Sequence, residues 1–127
     1  MNFDDKAKEW DNDPKKLERA EIFSNEIRKI IGDMQVGSAL EFGSGTGLAS
    51  FQLKERFRSI TLADTSRGML EVLSEKISRE KLANFNPLLI DDARDLLSLS
   101  QLDIVYTLLT LHHVRDIDTA FNVFSQI

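Results

Sequence analysis

The chain has 127 residues, 42% of them apolar, which suits one domain with a modest core and is too apolar for global disorder. Its net charge of −5 disfavours a nucleic-acid surface, which needs a basic face to meet phosphates, and the absence of cysteine excludes disulfides, thiolate metal sites and cysteine nucleophiles together. No apolar run approaches the roughly 20 residues of a membrane span, and the N-terminus lacks the apolar core of a signal peptide, a pattern that fits a cytoplasmic protein with no membrane partner.

Residues 1–12 read as an N-terminal arm in which Phe3, Ala7 and Trp10 have the spacing of a short amphipathic helix. Asp13-Pro14 is a strong helix start, Asp as N-cap and Pro at the first helical position. The helix is predicted to run to about Ile31, with Leu17, Ala20, Phe23, Ile27, Ile30 and Ile31 on one face, and Gly32 as its stop. Ser38–Phe42 is the first predicted strand. It breaks into Gly43, Gly45 and Gly47, three glycines at alternate positions that let the backbone reach positive φ and approach a ligand closely. A helix over about Leu48–Phe57 follows, and its start offers N–H groups.

The second strand covers Ser59–Ala63 and ends at Asp64; Thr65-Ser66 can cap a helix with Met69, Leu70, Leu73 and Ile77 as its buried stripe. Asn86-Pro87 is read as a break before a third strand, Leu88–Ile90, which ends in Asp91-Asp92. Ala93–Leu99 reads as a short helix or turn, Leu102–Tyr106 as the fourth strand, and a last helix begins near Ile117.

Strands alternating with helices imply parallel strands joined by right-handed crossovers, with the ligand at the carboxyl ends. Those ends carry Gly43, Asp64, Asp92 and Thr107. The expected fold is α/β, a Rossmann-like doubly wound parallel sheet ordered 3-2-1-4, in a single domain over residues 1–127. That order leaves the apolar fourth strand on an edge. The expectation is therefore a fold cut short before further strands, or an edge covered by another chain, as in a homodimer.

The loop spacing Gly43, Gly45, Gly47, with Glu41 two residues before it, departs from the G-x-G-x-x-G of dinucleotide folds. It resembles motif I of class I S-adenosylmethionine-dependent methyltransferases. The resemblance continues through Asp64-Thr65-Ser66-Arg67-Gly68-Met69-Leu70, through Asp92-Ala93-Arg94-Asp95-Leu96, and through Leu102–Tyr106 to Leu111-His112-His113-Val114. It implies S-adenosylmethionine as cofactor and methyl transfer by in-line displacement. The implied contacts are the glycine loop (Gly43, Ser44, Gly45, Gly47) and Glu41 at the methionine end, and Asp64, beside Thr65, at the ribose. Asp92 and the Ala93 N–H are implied at the adenine edge, Met69 on its face and Thr107 near the methyl group.

Each role has a structural rival: a helix cap for Asp64 or Asp92, core for Met69, a solvated strand end for Glu41. His112 and His113 are weak candidates for a general base, against capping or packing. Trp10 is expected either to close over the cofactor as part of a lid or to pack on the surface. No metal site is expected. Thr107-Leu108-Leu109-Thr110 lacks the Asn/Asp-Pro-Pro-aromatic motif of amino methylators of adenine and glutamine. The Leu-His-His-Val variant and the Trp10-Asp11 segment resemble the group that includes quinone-biosynthesis methyltransferases, which implies a small-molecule acceptor. A non-catalytic cofactor-binding module and a nicotinamide-dependent oxidoreductase are the competing readings.

Overall fold

The structure, a computed structural model, describes residues 9–33, 36–99 and 102–107. His112, His113 and the helix expected from Ile117 lie outside the described residues, as does most of the arm before Trp10. The described elements run α1 (Pro14–Ile31), β1 (Val36–Phe42), α2 (Leu48–Gln52), β2 (Phe57–Asp64), α3 (Arg67–Glu80), β3 (Phe85–Leu89), a 3₁₀ helix (Ala93–Ser98) and β4 (Ile104–Tyr106). All strand pairs are parallel and the sheet order is β3-β2-β1-β4, as the alternation of elements requires.

Helix α1 starts as its sequence dictates, with the Asp13 carboxylate accepting from Lys15 N at 2.9 Å and Pro14 in the first turn. Its buried stripe is narrower than the apolar pattern suggested. Ala20, Ser24, Ile27 and Ile31 are buried, whereas Leu17 is 41% and Ile30 71% exposed. Ser24 joins the stripe because its hydroxyl donates to Ala49 O at 3.0 Å, which ties α1 to α2 and satisfies a buried polar group.

Several boundaries differ from expectation, β1 and β2 each beginning two residues early, at Val36 and Phe57. Helix α2 ends at Gln52, five residues short of Phe57, because Phe57 already pairs with Val36 in the sheet. Strand β3 begins at Phe85 and runs through Pro87, where a break was expected. Ile60 N bonds Asn84 O and Ile90 N bonds Asp64 O, so even-numbered residues of this stretch face β2. Pro87 falls on the odd, outward side of an outer strand, where its missing N–H costs no ladder bond. The fourth strand is also shorter than expected, Ile104–Tyr106.

The pleat sorts the core onto two sides. Ala39, Ile60, Leu62 and Tyr106 join Ile27, Ile31, Leu70 and Leu73 on the side of α1 and α3. Leu40, Phe42 and Ala63 pack with Ile90 and Leu96 on the other. Glu41 lies two residues from Ala39 and pairs with Tyr106 in register, so strand periodicity sends its carboxylate into the first side, beneath α2. At the opposite end of β1, Asp103 Oδ2 accepts from Gly37 N and Ser38 N, each at 3.0 Å.

Candidate functional site

The carboxyl ends of β1 and β2 meet at the glycine loop. Gly43, Gly45 and Gly47 have φ of 69°, 57° and 82°, the left-handed region that β-carbons disfavour. Their roles differ. A Cβ on Gly47 would lie 2.8 Å from Leu73 Cδ1 and 3.2 Å from Leu62 Cδ2, so this glycine lets α2 pack on α3 and β2. A Cβ on Gly45 would meet only Met69 Sδ at 3.8 Å and Trp10 Nε1 at 3.9 Å, ordinary contact distances.

The loop is braced from within. Gly43 N and Ser44 N donate to Ala63 O at 2.8 and 3.1 Å, and Gly47 N donates to Ser44 O at 2.9 Å. Asp64 receives Gly45 N on Oδ2 at 2.7 Å and Ser66 N on Oδ1 at 2.8 Å. One carboxylate thus orients both the loop after β1 and the entry to α3. Ser66, not Thr65, is the cap of α3, its hydroxyl accepting from Met69 N at 3.2 Å; Thr65 is exposed. The Ser44 hydroxyl is buried in this loop and has no hydrogen-bond partner among the described residues. A buried hydroxyl without a partner is costly.

Glu41 does not face water. It is 2% exposed, and Ser50 Oγ donates to its Oε1 at 2.5 Å. Ser50 Oγ also lies 2.7 Å from the Tyr106 hydroxyl, which closes a buried Glu41–Ser50–Tyr106 chain across β1, α2 and β4. Burial pushes the Glu41 carboxyl up to about 8; the Ser50 hydroxyl pulls it down, the Asp64 charge raises it further and Lys76 lowers it. Burial, with the Glu41 charge, pushes the Tyr106 hydroxyl up as well. Burial thus favours the protonated form of both groups.

Met69 is 2% exposed, with its sulfur beside Gly45, so it presents almost no surface of its own. Asp92 caps the 3₁₀ helix: its Oδ1 accepts from Arg94 N at 2.7 Å, and Asp95 Oδ2 accepts in return from Asp92 N at 3.4 Å and also from Asp91 N at 2.7 Å. The capping role thus coexists with its place at the end of β3. The side chain of Ala93 is not described, and Thr107 follows β4 directly, half-buried.

Sequence reasoning missed Ser50, Tyr106 and a cluster at the rim. There Thr46 Oγ1 donates to Asp11 Oδ1, Lys76 Nζ stands 2.7 Å from Asp11 Oδ2, and Lys76 Nζ donates to Thr46 O at 2.9 Å. Residues 35 positions apart meet in the Asp11–Thr46 pair, so no local spacing could signal it. Among the described residues no group of acidic and histidine side chains is set to hold a metal ion, and no helix is long and apolar enough to cross a membrane.

Comparison with known proteins agrees with this architecture. A candidate S-adenosyl-L-methionine-dependent methyltransferase of Methanococcus maripaludis matches with a TM-score of 0.81 and 23% identity, over all of this chain and 60% of that one. An S-adenosylmethionine-dependent methyltransferase of Aquifex aeolicus matches with a TM-score of 0.79 and 20% identity, over 97% of this chain and 65% of that one. Phosphoethanolamine N-methyltransferase 2 of Haemonchus contortus, in complex with S-adenosyl-L-methionine, matches with a TM-score of 0.73 and 21% identity, over 99% of this chain and 33% of that one. At these identities the likeness is one of fold, and the chain spans less than two thirds of each of these structures. No curated protein matches the chain. The family model described as a methyltransferase domain matches residues 40–127, more than half of the sequence, and the chain belongs to that family.

Proposed function

We propose that this domain binds S-adenosylmethionine at the rim formed by the ends of β1, β2 and β3, and that it directs methyl transfer to a small-molecule acceptor in the cytoplasm. The observation that carries the reading is the joint held by Asp64: one carboxylate bonded to both Gly45 N and Ser66 N, beside a buried Ser44 hydroxyl that lacks a partner among the described residues. The residues fit the group. Ser44 has hydrogen-bonding capacity to offer, Gly45 leaves room where a side chain would stand, and the nearby acids suit a cation better than a pyrophosphate. That last point disfavours a nicotinamide dinucleotide.

The cofactor, when bound, supplies a methyl group already activated by a positive sulfur. The chain's task is alignment and exclusion of water. Asp64 is the residue to orient ribose hydroxyls, since a carboxylate accepts from two donors at once. Asp92 and the Ala93 N–H stand for the adenine edge, the loop Gly43–Gly47 and Thr107 for the methionine and methyl end, with Thr65 and Met69 flanking. Glu41, tied to Ser50, serves from below by fixing α2 to β1.

A second reading is favoured by the short β4 on the sheet's outer side: a cofactor-binding module that acts only with a further segment or a second copy beside that strand. Titration calorimetry with S-adenosylhomocysteine tests the cofactor, and an acceptor screen tests the transfer. Asp64→Asn should weaken binding about tenfold, the equivalent of about 1.4 kcal/mol. Equal affinity for both proteins overturns the ribose assignment.

A further inference from the structure

We propose that Asp11 is a positioning residue for this site. By bridging the glycine loop and α3 it seats Trp10 against Gly45, and the indole forms a wall that must move for the cofactor to exchange. The proposal rests on the cofactor reading above.

Three features carry it. The Asp11 carboxylate joins the Thr46 hydroxyl through Oδ1 and the Lys76 ammonium through Oδ2, and Lys76 Nζ returns to Thr46 O, so the three residues form a closed ring. The ring is sheltered: Lys76 is 13% and Asp11 29% exposed at the side chain, and Thr46 is buried. Screening by solvent is weaker there than for surface pairs. The neighbouring Trp10 is aimed by the same segment. Its Nε1 lies 3.9 Å from where a Gly45 Cβ would stand, and Lys16 Nζ holds its ring from α1 at 4.0 Å from the centroid.

A simple brace of the fold would join core to core. This ring instead joins an arm before α1 to the one loop residue, Thr46, that lies between Gly45 and Gly47. Its state therefore sets both the position of the indole and the position of the loop. Lys76 also lies 4.5 Å from the Phe51 ring centroid, which keeps the ammonium in place when Asp11 is altered.

Trp10 is the chain's single tryptophan, so its fluorescence reports this position alone. Stopped-flow mixing of the full chain with S-adenosylhomocysteine should change Trp10 emission. Asp11→Asn and Lys76→Met should each raise the dissociation rate about tenfold and raise the association rate as well, because the wall must move for entry as for exit. The double variant should be no faster than either single variant, because both break one ring. Lys76→Arg, which keeps charge and donors, should restore slow dissociation. If Asp11→Asn fails to fold by circular dichroism, Lys76→Met and its Arg counterpart carry the same reading. Calorimetric binding by the wild type, with silent Trp10 emission or unchanged dissociation in the folded variants, overturns this proposal alone. No calorimetric binding by the wild type overturns the cofactor reading, and this proposal with it.

Discussion

Two aspartates hold the two ends of β1, and they do so differently. At the base, a single oxygen of Asp103 takes both Gly37 N and Ser38 N at 3.0 Å. At the rim, Asp64 uses both oxygens, at 2.7 and 2.8 Å, to bond amides from two separate segments. The glycines beside them differ in the same sense. A Cβ at Gly37 would lie 2.7 Å from Asp103 Oδ2, whereas a Cβ at Gly45 would find only ordinary contacts at 3.8 and 3.9 Å. A β-carbon would collide at the base and would only touch its neighbours at the rim. The same residue type, with the same kind of donors, closes a strand at one end and ties a loop to a helix entry at the other.

Substitutions can break this contrast in graded ways. The largest effect is expected for Gly47→Ala, which places a β-carbon at φ 82° and 2.8 Å from Leu73 Cδ1. It should cost about 3 kcal/mol and lower the melting temperature by roughly 10 °C in a thermal melt. Asp103→Ala should cost less, about 1–2 kcal/mol, by leaving two amides without their acceptor. Calorimetry on that variant should find affinity for S-adenosylhomocysteine within about twofold of wild type. A larger loss would show that base and rim are not independent.

A pH profile sharpens the picture at Glu41. Burial pushes the Glu41 carboxyl up to about 8 in the fold, against an ordinary value of 4.5 when the chain is open. Between those values the folded state binds more protons, so this group's stabilising contribution is full below 4.5 and is lost as pH rises through about 8. Melting temperature should therefore fall across that window in the wild type and fall less in Glu41→Gln. Parallel profiles would mean that Glu41 gives up its proton in the fold.

The sequence carried the rim well and the wiring behind it poorly. Gly43 and Asp64 announce themselves at strand ends, and Asp92 as the cap of the turn that follows β3, all set by local patterning. Helix α2 was read too long because Leu53 and Phe57 are apolar at helical spacing, yet both are buried by tertiary packing after the helix has ended. Leu17 and Ile30 show the converse: apolar residues at helical spacing that fall at the margin of the stripe and stay exposed. Ser50, Tyr106, Asp11 and Lys76 act through partners far away in the chain, and such contacts leave no mark on spacing.

The proline in β3 has an effect on the company this sheet can keep. At an outward-facing position it offers no amide to a newcomer, and an intruding strand would lose a bond at the middle of its ladder. The β3 border is thereby a poorer template for an added strand than an unbroken row of amides would be.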